Sequence, residues 1–488
     1  MSLLHRLNLR LFVYILGVTA ALLGFTFLPS ALYALVNEPD RVPAFLLSSG
    51  ITFLISLIFI HFNKNFSHSI SKKDGRLIVA FIWLFAPILG CLPYMFCLDI
   101  FYSPINALFE SFSGFTTTGA TVIDSLTDVP RSILLYRSLT QWLGGLGLTI
   151  IIILLVTNFR NSSNYLFNAE FTSLDKEKVS PHIKSTVMRI IGVYLSLTLL
   201  AIVLLSLGDM NFFTALCHSF STVSTGGFTT VNGSIGQFSA YTQWVTIVLM
   251  FISSLSYFSI YWIVRGKGNR FFIDEQTKVY TIIIIIASVI IFSSLYFFHS
   301  MPLSQSIRLA LFHSVSASST TGYEFVSASN IGFFSGIVIM ILMFIGGCSA
   351  SSATGLKIIR VIILFKYTLI TLKRMFHPRA VLPMKYNHTA ISEEASNLVF
   401  GFFFLYLLIF VFGAFTLTIF GNDFVSSISM ALANISNTGG AINVLSPGLS
   451  YESLNIFSKI TLITLMILGR LEIYSFLALF SRTIWLKS

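Results

Sequence analysis

A chain of 488 residues that is 55% hydrophobic and only 10% charged cannot be an ordinary soluble domain, in which roughly a quarter of residues are charged. Its formal net charge of +11 does not point to nucleic acid, because most of the Lys and Arg lie in blocks between apolar runs, at 64–76, 160–189, 265–278 and 357–394. The four cysteines are scattered, with apolar neighbours and no CxxC, which argues for packing and against a metal or redox motif.

In chain order, apolar runs of bilayer length, about 20 residues each, lie at 11–36, 44–62, 77–98, 187–207, 242–264, 277–298, 395–420 and 456–480. The first run extends past signal-peptide length without a small-x-small cleavage site and reads as a retained span. The expectation is an all-α, polytopic membrane protein. The basic blocks alternate with more acidic connections whose cations are Arg41, Arg131, Arg137, Arg308 and Lys459. The positive-inside rule then puts both termini and the basic blocks on the cytoplasmic side. Such a face suits anionic lipid or an acidic cytosolic partner.

Between runs, on the expected outer side, four segments align without gaps: SFSGFTTTGA at 111–120, SFSTVSTGGF at 219–228, SVSASSTTGY at 314–323 and ALANISNTGG at 431–440. Gly119, Gly227, Gly322 and Gly439 share one column. Before them stand Thr116-Thr117-Thr118, Ser224-Thr225-Gly226, Ser319-Thr320-Thr321 and Ser436-Asn437-Thr438. Repetition of this kind sets the organisation of the chain. Each strip follows a segment of about a dozen residues, too short to cross a bilayer, so that segment reads as a re-entrant helix. Non-helical backbone at membrane depth is tolerated where it is buried in protein or lines a wet cavity. Glycine permits backbone angles that aim successive carbonyls one way. Four such strips, with their Ser and Thr hydroxyls, would form a ring of neutral oxygens that replaces the hydration shell of a monovalent cation. A Ca²⁺ site would use carboxylates, and none stands in the three residues before any of the glycines. The competing reading is close helix packing by small residues.

The mostly apolar stretch 331–375 is about twice the length of one crossing and is interrupted by GGCSASSATG at 346–355. It reads as a broken helix, and residues 346–355 are either a movable gate or a tight helix crossing. Arg470 lies inside the last run, where a charge costs at least about 2.5 kcal/mol. It is either a positive barrier to cation flow or the partner of Glu472 or of a carbonyl. Glu110, His218 and His313 share a column whose fourth member is Met430. They suit a three-ligand metal site, or hydrogen bonds that hold the short helices. Asp124 and Glu324 follow the first and third strips and either concentrate cations at the mouth or are ordinary solvated charges.

FESFSGFTTTGAT at 109–121, STGGF at 224–228 and GRLEIYSF at 469–476 make the chain resemble the membrane subunits of the Trk-type bacterial potassium-uptake systems (TrkH/TrkG), within the Trk/Ktr/HKT superfamily. The resemblance covers roughly residues 70–488, and two extra N-terminal spans favour the Trk branch. It implies four fused helix–pore helix–filter loop–helix units around a central pore: an N-terminal two-span segment 1–76, then units 77–185, 186–275, 276–390 and 391–488. It implies a potassium filter at Thr117, Thr118, Gly119, Thr225, Gly226, Gly227, Thr320, Thr321, Gly322, Asn437, Thr438 and Gly439. In the superfamily, a serine at the first filter glycine goes with sodium preference, and here all four are glycine. The fourth strip, NTGGA, departs from the family's more usual glycine-proline-glycine run. A gate is implied at Gly346, Gly347, Ser349, Gly355 and Arg470. Potassium would be cargo, with no cofactor bound. A homodimer and a TrkA-type cytosolic nucleotide-binding regulatory subunit are implied, in a bacterial inner membrane with no role for nucleic acid. This chain has neither GxxxxGK[ST] nor GxGxxG, so nucleotide control would come from that partner. HExxH and paired carboxylates within the spans are absent, which speaks against an embedded enzyme. Four parallel units speak against an inverted-repeat solute transporter.

Overall fold

The structure, a computed structural model, describes residues 8–63, 72–97, 103–147, 183–266, 268–324, 332–379, 382–387, 389–439, 450–471 and 473–477. Gly440, Glu472, both termini and most of the basic blocks 64–76 and 160–189 lie outside the described residues.

Helices α1 (Leu9–Asn37) and α2 (Val42–Phe62) pack side by side. Gly17 meets Ile60 while Gly24 meets Phe53, so the two run antiparallel, and a Cβ on either glycine would come within 2.9 Å of its neighbour. Small residues here bring backbones together without any hydrophobic drive between helices in lipid. At the turn between α1 and α2, the Glu38 carboxylate accepts from the Arg131 and Ser132 N–H groups at 2.7 and 3.2 Å. It thereby caps a helix of the first pore unit, where the orphan amides and helix dipole favour an anion.

That unit comprises α3 (Lys72–Gly90), α4 (Leu92–Cys97), α5 (Pro104–Phe115) and α6 (Arg131–Leu146). The second has α7 (Ile183–Ser206), α8 (Phe212–Val223), α9 (Ala240–Ser253) and α10 (Tyr257–Val264). After α11 (Gly268–Ile273), the third has α12 (Glu275–Ser293), α13 (Leu303–Ser318), α14 (Phe333–Ile345) and α15 (Ile358–Phe376). The fourth has α16 (Glu393–Ile419), α17 (Phe424–Ile435), α18 (Ile456–Arg470) and α19 (Ile473–Leu477). Six helices among the described residues are long and apolar enough to cross a membrane. The short helices α5, α8, α13 and α17 have 12, 12, 16 and 12 residues. At about 1.5 Å per residue they reach only part-way through a hydrocarbon layer of about 30 Å. Asn211 and Asp423 cap two of them by accepting from Thr214 N–H and from Val425 and Ser426 N–H.

Two sequence expectations are corrected. The run 242–264 is not one straight helix: α9 and α10 meet at 105°. Ser254 O accepts from Cys348 N–H at 3.0 Å and Tyr257 N–H donates to Ala350 O at 2.9 Å. The backbone groups freed by the bend are thus satisfied by 346–355, as burial at membrane depth requires. Arg137 is not a residue of an outer connection but lies on α6 and is 1% exposed. The described fold also holds one strand pair, β1 (Lys385–Tyr386) antiparallel to β2 (Thr389–Ala390).

Candidate ion pathway

Each short helix ends in the same way. The cap residues Thr116, Ser224, Ser319 and Ser436 are followed by a left-handed residue: Thr117 (φ 54°), Thr225 (53°), Thr320 (56°) and Asn437 (53°). The N–H two past the cap then bonds back into the helix: Thr118 to Ser113 O at 2.9 Å, Gly226 to Ser221 O at 2.8 Å, Thr321 to Ser316 O at 3.0 Å and Thr438 to Ala433 O at 2.7 Å. This is a Schellman ending, repeated four times. A β-branched threonine at positive φ is an outlier. Three of them at equivalent places mark strain that the surroundings hold in place.

Next come Gly119, Gly227 and Gly322, left-handed at 81°, 77° and 76°. Gly439 is not in that region, so the fourth strip, the one that departs in sequence, also departs in backbone. The strips touch in order. A Cβ on Gly119 would lie 2.2 Å from Gly226 O, on Gly227 2.0 Å from Thr321 O, and on Gly439 2.7 Å from Thr118 O. Between strips three and four stands Thr354, whose N–H donates to Thr320 Oγ1 at 3.0 Å and whose hydroxyl donates to Ser436 O. With Thr354 bridging the third and fourth strips, the four therefore close into a ring, and Gly119, Gly227 and Gly439 leave no room for a side chain.

The hydroxyls of Thr118, Thr321 and Thr438 pair with those of Thr116, Ser319 and Ser436 at 2.7, 2.7 and 2.9 Å. They brace the strips. Gln141 on α6, which sequence reasoning missed, donates to Gly226 O at 2.6 Å and accepts from Phe228 N–H at 3.1 Å.

The break at 346–355 extends to Lys357 and is buried. Leu356 and Lys357 N–H groups bond back to Phe344 O and Ile345 O at 3.2 and 2.9 Å, closing the loop at its base. Gly346 (φ 74°) and Gly355 (81°) sit face to face there; a Cβ on Gly346 would lie 2.2 Å from Thr354 O. Gly347 lies against Ser254 and Ala353. Ser349 N–H donates to Gln276 Oε1 at 2.8 Å. Arg470 reaches in from α18 and donates to Ser352 O at 3.0 Å and Gly144 O at 2.5 Å, with its guanidinium 5.2 Å from the Trp83 ring. Glu472, the alternative partner considered for it, lies outside the described residues. A cavity of about 60 Å³ is lined here by Gly145, Thr354, Lys357, Arg360 and Arg470. At about 30 Å³ per water that is room for about two waters, and three cationic side chains line it. Lys357 and Arg360 were not singled out from the sequence; their place after a glycine break was the available signal.

The column Glu110, His218, His313 and Met430 is not drawn together. Among the described residues no cluster of three His, Cys, Asp or Glu could hold a metal. Glu110 accepts from Val122 N–H and pairs with Arg137, and His218 Nε2 faces Thr230 N–H at 3.5 Å. Asp124 is exposed and accepts from the Ser450 hydroxyl.

A bundle of membrane-crossing helices in which four re-entrant helices and their strips close one ring defines a pore-type membrane transport protein. Residues 51–486 match the TrkH family, described as cation transport protein. The Trk system potassium uptake protein TrkH of Halomonas elongata is 32% identical over 487 residues, spanning 99% of this chain and 100% of that one. The Trk system potassium uptake protein TrkG of Escherichia coli is 29% identical over 481 residues, spanning 98% of this chain and 99% of that one. The crystal structure of the potassium transporter TrkH from Vibrio parahaemolyticus superposes with a TM-score of 0.89 at 30% identity, covering 98% of this chain and 100% of that one. The chain belongs to the TrkH family of cation transport proteins, and is a multi-pass membrane protein and not an enzyme.

Proposed function

We propose that this chain takes up potassium across a bacterial inner membrane through a filter formed by the four strips. The closed ring carries this reading: Gly119, Gly227 and Gly439, with no room for a side chain and each set against a neighbouring strip's backbone, are what a dehydrating cage of carbonyls needs. The ligands are the backbone oxygens of 117–119, 225–227, 320–322 and 437–439, one strip from each unit (77–185, 186–275, 276–390 and 391–488). Permeation needs no covalent chemistry. Each charge moved inward gains about 2.3 kcal/mol per 100 mV, which supports roughly a 45-fold gradient.

The loop 346–355 is the gate, in its closed position. Thr354 touches two strips and Arg470 pins Ser352, so opening requires those bonds to break. Both termini and the basic blocks face the cytoplasm, where a TrkA-type nucleotide-binding subunit docks on a homodimer of this chain.

The test is growth on low potassium of a bacterium lacking its own uptake systems but retaining the regulator. The wild-type gene should restore growth, and Gly119→Ser should lose rescue selectively. Failure of the wild type to move K⁺, with the protein in the membrane, would refute the proposal.

A further inference from the structure

We propose that the Glu110–Arg137 pair, standing behind the strips, is a positioning pair that sets the selectivity of the filter. Glu110 on α5 is 0% exposed and Arg137 on α6 is 1% exposed, with Oε1 2.7 Å from Nε. The carboxylate also accepts from the Thr121 hydroxyl at 3.0 Å and from Val122 N–H at 3.2 Å. The guanidinium donates to Thr121 Oγ1 at 3.1 Å and Thr229 O at 3.3 Å, and lies 4.1 Å from the centre of the Phe228 ring.

Thr121 and Val122 leave the first strip just after Gly119, and Phe228 and Thr229 leave the second just after Gly227. One rigid fork therefore ties the outlets of two neighbouring strips to each other and to two helices. The joint has a neutral counterpart in the second unit, where His218 takes the place of Glu110 and Thr230 that of Val122, at 3.5 Å. The equivalent positions 325 and 442 lie outside the described residues. Among the described junctions, only the one between units one and two carries this charged brace.

Stability alone does not call for it. Two charges taken out of water are costly, and a well-packed apolar pair of the same volume commonly holds two helices as well or better. What an apolar pair cannot do is accept from Val122 N–H while donating to Thr229 O. A cage separates K⁺ from Na⁺ by the placement and field of its oxygens, and this brace places the backbone that carries them.

The inference rests on the potassium reading, so the assay first measures K⁺ uptake by the wild type in the deficient bacterium, then its inhibition by Na⁺. Glu110→Gln/Arg137→Met keeps the volume and an acceptor for Val122 N–H but removes the fork. It should keep maximal K⁺ uptake within about threefold while Na⁺ competes about tenfold more strongly. Arg137→Lys, which keeps the ion pair and loses the contact with Thr229, should fall between the two and decides the matter if the double variant does not reach the membrane. A lowered thermal stability with unchanged Na⁺ competition in the variants would overturn the inference. A wild type that carries no K⁺ would instead sink the function it rests on.

Discussion

Replacing Gly119 by serine tests the ring most directly. At φ 81° an L-residue costs about 1–2 kcal/mol. The new Cβ would also stand 2.2 Å from Gly226 O, where ordinary contact begins near 3.4 Å, so the carbonyl must retreat by about 1 Å. That carbonyl is held by Gln141 Nε2 at 2.6 Å, a bond with a net value of about 1 kcal/mol. If about 2 kcal/mol of this is lost from the K⁺-occupied filter, apparent affinity falls roughly 30-fold. The assay is the K⁺ dependence of uptake at matched membrane expression, with Na⁺ as competitor. Gly192→Ser is the control, because nothing lies within 4 Å of a Cβ there. A Gly119→Ser protein with wild-type K⁺ affinity and wild-type exclusion of Na⁺ would refute the reasoning.

Arg470→Ala removes the bonds to Ser352 O and Gly144 O, each worth about 1.5–3 kcal/mol as a charged hydrogen bond. Flux without the regulator should rise at least about tenfold, and a stable protein with lower flux would count against the latch. Gln276 spans from Tyr386 Oη, to which it donates at 2.8 Å, to Ser349 N–H, from which it accepts at 2.8 Å. Gln276→Leu should therefore raise basal flux several-fold and blunt the response to the regulator, as tracer uptake with and without the partner will show. At the outer rim, a hydrogen bond with Asp124, then burial, then the charge of Asp124 push the Glu452 carboxyl above its usual range. Glu452 therefore takes up its proton at higher pH than a free glutamate, and the contact that the proton makes is lost as pH rises through that raised value. Uptake should weaken as external pH falls through it, because the mouth loses negative charge. In Asp124→Asn that weakening should move to lower pH; an unmoved profile would assign the effect elsewhere.

The order of the spans was legible in the chain because lipid demands self-satisfied backbones, and apolar runs of about 20 residues fit a helix and not the shorter strands of a barrel. The four strips were legible because repetition puts the same Ser/Thr-Gly pattern after each short segment. The break at 346–355 and the lone Arg470 stood out as exceptions inside apolar runs. What the sequence did not contain was adjacency. That Gly119 lies against Gly226, that Asn437 donates to Thr118 Oγ1 across 319 residues, and that Arg470 reaches Gly144 across 326 follow from closing the ring, a contact no local period encodes. The 105° bend after Ser253 escaped for the same reason: its freed backbone groups are paid for by a loop nearly a hundred residues away. Arg137, an unremarkable outer charge in the sequence, became a buried brace only when α6 was packed between two strips. Chemistry of the parts was written locally, and the tertiary structure alone decided which parts meet.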